Sequence, residues 1–259
     1  ITEDMIEQAA IKALHERHDY IVLNCMTEEP DTLPDGTGRK DKKQVVLPDV
    51  MFESLCRINP DIPEQTVRTV VDELCRTPVS GDLMLTNYQN YQKIRNGITV
   101  EYNMNGKKTS NILRLLSYND ALSNTFTVAS QMWIKGRYNW RRPDIIVFVN
   151  GLPLVFIELK NGIVKVEEAY RKNLKSYIKD IPNLFAFNQI CVLSNGFETR
   201  LGAFNATFDY FFEWLKQKEG ERIDRKAISE SGVSADYFVD GSSSVASLLK
   251  VPPLIIGLT

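Results

Sequence analysis

Two nearly continuous apolar runs lie near the middle of the chain, at 145–149 and 154–159. A turn-forming pair, Asn150-Gly151, lies between them. Runs this apolar predict strands that are buried on both faces, which places them at the centre of a sheet. Three more strands and an amphipathic helix are predicted around them, at 126–134, 190–194, 198–204 and 164–180. This order predicts an α/β fold with a central mixed β-sheet flanked by helices.

The N-terminal part of the chain is mostly helical in its pattern. Residues 2–18 predict a helix that begins after the N-cap Thr2. Residues 27–44 are polar and rich in turn-forming residues, which predicts a mobile surface loop. We therefore expect a loop and helical insertion over 27–80, beside a sheet core over 96–204. The other predicted elements are helices at 48–58 and 63–76, hairpin strands at 98–102 and 112–118 around Asn105-Gly106, and helices at 206–218 and 243–250.

The composition narrows the class of protein. The chain has 259 residues, is 43% hydrophobic and carries a formal net charge of −2, so it can bury a large core but is not basic enough to bind DNA tightly alone. A nuclease whose DNA is delivered by partners is compatible with this charge. The sequence lacks an uncharged apolar stretch long enough to span a membrane, and its acidic N-terminus differs from a secretory signal. Four cysteines without a CxxC pair predict buried free thiols, so we expect a cytoplasmic location.

Two carboxylates accompany the central strands. Asp144 immediately precedes the first strand, and Glu158 lies near the end of the second. Buried carboxylates are costly unless their charge is compensated, and Mg²⁺ requires only two of them because it keeps several waters. Lys160 follows on the same strand face as Glu158, where it could orient or deprotonate the attacking water, or stabilise charge in the transition state. The three residues predict Mg²⁺-assisted phosphodiester hydrolysis, with Asp144 and Glu158 as metal ligands.

The three-residue pattern alone is weak, because a chance match in a chain of this length is expected on the order of one time in ten. A similar string, formed by Asp31, Asp35 and Asp41-Lys42-Lys43, lies in the polar loop, where nothing is expected to hold it in a fixed geometry. The alternative for the central match is a structural ion pair between Lys160 and one carboxylate. Such a pair accounts for two charges and leaves the third unexplained.

The register of the central hairpin gives a geometric test. A regular two-residue turn at Asn150-Gly151 would pair Asp144 with Ile157 and put Asp144 and Glu158 on opposite faces. A three-residue loop or one bulge places Asp144 opposite Glu158 instead. We predict the second arrangement, because a metal site needs both carboxylates on one face.

Other residues are candidates for supporting this site. Asn173 and Tyr177 share one face of the predicted helix and could hydrogen-bond the site or a DNA phosphate, although a tyrosine half-buried against the sheet fits the spacing equally well. Glu3 and Glu7 could supply a further metal ligand, but surface carboxylates are the more common case. Eight cations could form a basic track for DNA or an ordinary solvated face, namely Arg137, Arg141, Arg142, Lys165, Arg171, Lys172, Lys175 and Lys179.

The run from Arg141 to Asn161, RRPDIIVFVNGLPLVFIELKN, closely resembles the nuclease domain of the R subunit of type I restriction enzymes, which is a PD-(D/E)xK nuclease. Further matches extend the resemblance from about 80 to 215. That family also has a Gln-x-x-x-Tyr motif in the helix after the site. Tyr177 matches the tyrosine of this motif, and Asn173 stands in place of the glutamine.

The resemblance implies a restriction-endonuclease-like core that cuts double-stranded DNA with Mg²⁺, in which Asp144 and Glu158 bind metal and Lys160 is catalytic. It also implies an ATP-driven motor later in the same polypeptide, together with methylase and specificity subunits. On this basis 1–215 is the endonuclease domain, and 216–259 is a linker and helix leading toward the motor. Two alternatives remain open, a non-catalytic DNA- or subunit-docking module on a degenerate nuclease fold and a free-standing repair or junction nuclease, which the acidic balance disfavours.

Overall fold

The computed structural model of the protein describes residues 2–76 and 81–213. The α-helices are α1 (Glu3–His18), α2 (Pro48–Ile58), α3 (Glu64–Cys75), α4 (Leu83–Asn96), α5 (Val166–Glu168), α6 (Lys175–Asp180) and α7 (Pro182–Phe185). The strands are β1 (Ile21–Asn24), β2 (Ile98–Met104), β3 (Lys107–Leu113), β4 (Phe126–Ser130), β5 (Ile134–Lys135), β6 (Trp140–Arg141), β7 (Ile145–Val149), β8 (Leu152–Leu159), β9 (Ile190–Ser194), β10 (Thr199–Gly202) and β11 (Phe212–Glu213). A π-helical stretch, Ala169–Leu174, joins α5 to α6, and short 3₁₀ turns cover Ala121–Ser123 and Phe208–Tyr210.

Seven strands form one mixed sheet in the order β1-β4-β7-β8-β9-β10-β11. The β1–β4 and β8–β9 pairs are parallel, and the other neighbours are antiparallel. Every residue of β4, β7, β8 and β9 is buried, because helices and loops cover both faces of the sheet at its centre. The predicted α/β fold with a restriction-endonuclease-like core is confirmed.

The helices over the sheet are placed by both apolar and polar contacts. On β8, the Phe156 ring packs against Tyr177 and Phe185, with ring centroids 5.5 Å and 5.6 Å away. Because side chains alternate along a strand, Glu158 lies on this same face of the sheet as Phe156. The predicted N-cap of α1 is confirmed, since the Thr2 hydroxyl accepts the Met5 N–H at 3.3 Å. The helices predicted at 48–58 and 63–76 are also confirmed, with Pro63 as the N-cap residue of α3.

Helix α4 was not predicted from the sequence. It begins after Asp82, whose carboxylate accepts the Met84 N–H, and ends at Gly97 with a φ of 80°. It docks through amide side chains, since Asn87 donates to the backbone carbonyls of residues 185 and 188, and Asn90 to that of residue 186. Polar docking of this kind leaves no apolar stripe in the sequence.

The segment predicted as a mobile surface loop, 27–44, contains no helix or strand and is mostly exposed or partly exposed, but it also carries a buried charge network that the sequence did not predict. Asp35 is buried there, with one carboxylate oxygen 2.5 Å from Arg39 and 2.7 Å from Lys42. Arg39 also donates to the Trp133 carbonyl at 3.1 Å, which fastens this segment to the chain beyond β4. The segment lacks regular structure, yet its paired charges hold it in one geometry.

Other differences concern short elements. Strands β2 and β3 pair only with each other, and β5 and β6 form a second small hairpin that the sequence did not predict. A 3₁₀ turn and β11 replace the start of the helix predicted at 206–218, while its end and the helix at 243–250 lie outside the described residues.

All four cysteines are free, but only Cys25 and Cys191 are buried, so the prediction of burial is wrong for Cys56 and Cys75. Among the residues that the structure describes, no helix is both long and apolar enough to cross a membrane.

Candidate active site

A bulge in the central hairpin sets the two predicted metal ligands on one face. The turn at Asn150-Gly151 has two residues, but the pairing shifts by one position between Phe148 and Val147, which leaves Leu154 as the extra residue of β8. Ile145 consequently pairs with Ile157, and the next position outward places Asp144 opposite Glu158. The predicted bulge is confirmed. Pro153 was its sequence signal, because a proline cannot donate to the ladder and is found at bulges within sheets.

Asp144 is held by the backbone of the neighbouring strand. Its Oδ2 accepts the Leu159 N–H at 2.8 Å, and only 8% of the residue is exposed. Burial raises the pKa of this carboxyl to about 6, against the opposing effects of the Leu159 hydrogen bond and the Lys160 charge. Asp144 therefore takes up a proton at a higher pH than an ordinary aspartate, and a neighbouring cation would oppose this.

Glu158 has one oxygen bonded and the other without a partner. Its Oε1 accepts Lys160 Nζ at 3.0 Å and also accepts the Asn173 amide. Its Oε2 is buried and has no hydrogen-bond partner within the described part of the chain. Burial, followed by the charge of Asp144, raises the pKa of Glu158 to about 8. A buried carboxylate oxygen without a partner, on a residue opposite a second buried carboxylate, fits a cation-binding site.

Lys160 is in contact with three groups around the site. Besides Glu158, its Nζ lies 2.5 Å from the Leu159 carbonyl and 3.5 Å from Glu3 Oε1. Burial by itself would lower the pKa of Lys160, but the charge and hydrogen bond of Glu158 outweigh it and raise that pKa. The alternative of a structural ion pair is thus partly realised. It compensates one oxygen of Glu158 and leaves Asp144 and the second oxygen of Glu158 without a cation.

The helix over the site contains the π-helical stretch, and Asn173 lies within it. Such stretches are rare and occur often at functional sites. Asn173 reaches Glu158, as expected for a residue that supports the site. Tyr177 instead is buried, and its hydroxyl donates to the Arg142 carbonyl at 3.2 Å. Tyr177 therefore supports the chain that leads to Asp144, and its contact with a DNA phosphate stays a prediction.

The first helix brings acidic groups to the same region. Glu7 is buried, and its Oε2 accepts the Gln131 amide at 2.6 Å. Burial raises the pKa of Glu7 to about 7, with a further contribution from Asp144. Glu3, Glu7, Gln131, Arg142 and Asp144 line one cleft of about 310 Å³. Sequence reasoning missed Gln131, and its only signal was its position directly after β4.

Several of the cations that were candidates for a basic DNA track have acidic or aromatic partners in the structure. Arg141 donates to Asp180 at 2.7 Å, and the Arg142 guanidinium lies over the Trp133 ring at 5.0 Å. On the helix, Arg171 and Lys172 form ion pairs with Glu167 and Glu168, one turn before them. Lys175 lies over the Tyr170 ring at 4.8 Å. Much of the positive charge on this helix is therefore already matched by its own acids and ring.

Within 2–76 and 81–213, no group of three or more His, Cys, Asp or Glu side chains is arranged to hold a metal. The site instead offers two carboxylates and the Leu159 carbonyl oxygen, which Lys160 already contacts. This set suits Mg²⁺, which binds hard oxygens and is usually held by one or two carboxylates plus waters.

Because Glu158 is buried, its ionisation should make the stability of the folded chain depend on pH. Its folded pKa of about 8 lies above the ordinary value of 4.5, so the folded protein binds more protons between these values and loses stability as the pH rises through them. At a pH of about 8, we expect Glu158→Gln to raise the Tm of the metal-free chain by several degrees, since 1 kcal/mol corresponds to about 2–4 °C in a domain of this size. At a pH near 4.5 the gain in Tm should be smaller.

Thermal unfolding of the two proteins at both pH values measures this difference. Glu53→Gln on the exposed side of α2 is the matched control, and it should leave the Tm unchanged at both. A Glu158→Gln variant that is less stable than the unmodified chain at the higher pH would contradict the electrostatic account of Glu158.

Comparison with known proteins gives the family. Residues 1–210 match the family described as type I restriction enzyme R protein N terminus. The chain is 34% identical over 219 residues to the type I restriction enzyme HindI endonuclease subunit of Haemophilus influenzae, covering 83% of this chain and 20% of that protein. It is 27% identical over 212 residues to the putative type I restriction enzyme MjaIXP endonuclease subunit of Methanocaldococcus jannaschii, covering 76% and 20%. The chain thus spans about a fifth of the length of these relatives. It belongs to the family of type I restriction enzyme R protein N-terminal regions.

Proposed function

We propose that this chain is a Mg²⁺-dependent endonuclease domain that hydrolyses phosphodiester bonds of double-stranded DNA. One observation carries the proposal: the buried, unpartnered Oε2 of Glu158 lies on the same sheet face as the buried carboxylate of Asp144. Two buried carboxylates with raised pKa values destabilise a fold in the absence of a cation. Their retention therefore favours a function over a structural role. The endonuclease subunits among its relatives support the same conclusion.

Asp144, Glu158 and the Leu159 carbonyl would hold the cation. Bound there, Mg²⁺ would polarise the phosphate and lower the pKa of a coordinated water. The Leu159 N–H fixes the orientation of Asp144, and Asn173 and Lys160 fix that of Glu158. Because these hydrogen bonds come from a central strand and its covering helix, the two carboxylates are preorganised before DNA arrives.

Lys160 would act as a positive charge. The groups around it raise its pKa, which favours a protonated amine and the role of charge stabilisation over that of general base. A protonated amine beside Glu158 can donate a hydrogen bond to the attacking water or to an oxygen of the reacting phosphate, where negative charge develops. Glu7, whose raised pKa lies near neutrality, is a further group in the cleft that could exchange a proton with water there.

The wider context is also part of the proposal. In the full subunit, a motor that uses ATP would follow this domain, and methylase and specificity subunits would bring it to DNA. This arrangement is consistent with the net charge of −2, because delivery by partners removes the need for strong DNA binding by this chain.

Cation binding tests the proposal directly. We expect the chain to bind Mg²⁺ or Mn²⁺ with release of protons, and with an affinity that rises between about pH 6 and pH 8, because the cation displaces protons from Asp144 and Glu158. Calorimetry in buffers of different ionisation enthalpy measures both the affinity and the protons released. Asp144→Asn should weaken binding at least about tenfold.

Asp31→Asn is the control for this experiment, because Asp31 also follows a proline but is exposed in the loop. Its cation affinity should equal that of the unmodified chain. Absence of cation binding by the unmodified chain, with binding to partner subunits intact, would instead favour a non-catalytic docking module.

A further inference from the structure

Between β4 and β7 the chain forms a connection that contains strands β5 and β6, defined here as the basic hairpin, residues 131–142. Ser130 at the end of β4 pairs with Ile145 at the start of β7, so the basic hairpin extends from the end of the sheet that carries Asp144. Its two ends, Gln131 and Arg142, line the cleft of about 310 Å³ that contains Asp144, called here the catalytic cleft because of its proposed role. A ligand bound by the middle of the basic hairpin is therefore only a few residues along the chain from the proposed site of cutting.

A second cleft, of about 630 Å³, is lined by Lys135, Gly136 and Arg137 in the middle of the basic hairpin. Four cations line it, Lys43, Arg76, Lys135 and Arg137, with Asp41 as the one acidic group among its lining residues. None of the four forms an ion pair with a residue that the structure describes. Cations elsewhere, such as Lys108 and Arg141, do pair with acids. The cleft thus concentrates unmatched positive charge in a chain that is acidic as a whole.

The two walls of this cleft are fastened together. The Asn183 amide donates to the carbonyl of Lys43 at 2.8 Å and to that of Lys135 at 3.3 Å. The Lys135 N–H donates to the Lys42 carbonyl at 3.0 Å. Behind them, the Asp35 network joins Arg39 to the basic hairpin. The backbones that carry Lys43 and Lys135 are therefore held together, so these two walls need little backbone ordering when the cleft binds a ligand.

Aromatic rings orient two of the cations. The Lys135 ammonium lies 4.9 Å from the centre of the Trp140 ring, and the Arg137 guanidinium lies 5.1 Å from that of Tyr138. Tyr138 itself is 81% exposed at the tip of the basic hairpin. Unmatched cations beside an exposed ring are the side-chain chemistry that binds a nucleic-acid backbone.

We propose that this cleft binds the phosphate backbone of duplex DNA next to the segment that enters the catalytic cleft. The inference rests on the proposed nuclease function and adds a second surface by which the chain would contact DNA. The basic hairpin would hold the duplex at a fixed distance from Asp144, since one continuous segment of chain borders both clefts. The phosphates would be bound by the four cations of the cleft rather than by the ion-paired cations of the helix over the site.

The salt dependence of DNA binding by the chain tests this proposal. Each phosphate contact that is lost lowers the slope of log affinity against log salt by about 1, so Lys135→Ala/Arg137→Ala should lower the slope by about 2. Lys107→Ala/Lys108→Ala removes the same charge from the β2–β3 hairpin, outside both clefts, and should leave the slope unchanged. Lys43→Gln changes the opposite wall of the cleft and should lower the slope by about 1. Because this variant leaves the basic hairpin unaltered, it tests the cleft even if the double variant disturbs the hairpin.

The outcomes separate this proposal from the nuclease assignment. The cleft variants should bind Mn²⁺ as the unmodified chain does, because neither wall of the basic cleft contributes to the carboxylate pair. Equal slopes for all variants, or no measurable DNA binding by the unmodified chain at low salt, would overturn the proposal and leave the metal site untouched. The cleft variants can also be titrated with inorganic phosphate in a calorimeter. If they lose a heat of phosphate binding that the unmodified chain shows, and the DNA slope is unchanged, the cleft binds a small anion and the proposal of a DNA-binding cleft is overturned.

Discussion

Asp144→Ala abolishes DNA cleavage by the assembled restriction complex and leaves its ATP hydrolysis unchanged, if the carboxylate pair is the nuclease site. Asp144 is buried, oriented by the Leu159 N–H and placed opposite Glu158. Its loss would remove one of the two carboxylates proposed to bind the cation. Removing a single preorganised group from such a site costs about 100-fold in rate or more. In the proposed full subunit the motor is a separate region from this carboxylate pair, so translocation and ATP turnover should continue without the cuts.

The measurement follows linear and supercoiled DNA products together with phosphate release in the same reactions. Asp31→Ala is the matched control, since it changes an exposed aspartate that also follows a proline and that the structure places in the surface segment. Cleavage retained by Asp144→Ala would refute the catalytic assignment, whatever the behaviour of the control.

Asp35→Ala is expected to destabilise the domain by about 3–5 kcal/mol, which is the usual cost of removing one partner from a buried ion pair. Asp35 compensates both Arg39 and Lys42, and the side chains of all three are almost completely inaccessible to solvent. Burial alone would raise the pKa of Asp35, but its hydrogen bonds from Lys42 and Thr37 and the charge of Arg39 hold that pKa down at about 2. Without the carboxylate, two buried cations have no counter-charge.

Urea unfolding measures this effect as a lower midpoint with an unchanged slope, which separates lost stability from a change in the unfolded chain. Asp31→Ala should leave the midpoint unchanged. A loss smaller than about 1 kcal/mol would mean that the segment moves and lets Arg39 and Lys42 reach solvent. The same experiment therefore tests whether the segment at 27–44 is held in place by its charges.

The sequence was most informative where burial and chemistry pointed to one arrangement. The central strands were predictable because only strands covered on both faces remain apolar over their full length, as at 145–149. The bulge in β8 was predictable because a metal site demands Asp144 and Glu158 on one face, although the turn residues alone favour the other register. The contact of Asn173 with the site followed from its place on the covering helix.

The rest depended on partners that sequence patterns do not reveal. A buried ion-pair network and a solvated loop have the same polar composition, so the fixed geometry around Asp35 was invisible. Helix α4 docks through Asn87 and Asn90, which carry no apolar periodicity. The π-helical stretch has neither glycine nor proline to mark it, and the role of Gln131 depends on Glu7, more than a hundred residues away.

The bulge also decides where this hairpin can change in length. The turn tolerates little change, because a Cβ on Gly151 would lie 2.6 Å from the carbonyl oxygen that precedes α2 and the Gly151 carbonyl accepts the N–H of that same residue at 2.9 Å. Leu154 is the residue of β8 that no residue of β7 opposes, so deleting it would preserve the pairing that places Asp144 opposite Glu158. A deletion nearer the site, for example of Phe156, would move Glu158 by one position and turn it to the other face. Enzymes with the same three-dimensional site can thus differ by one residue in the spacing between their two carboxylates, and a motif search with fixed spacing would miss some of them.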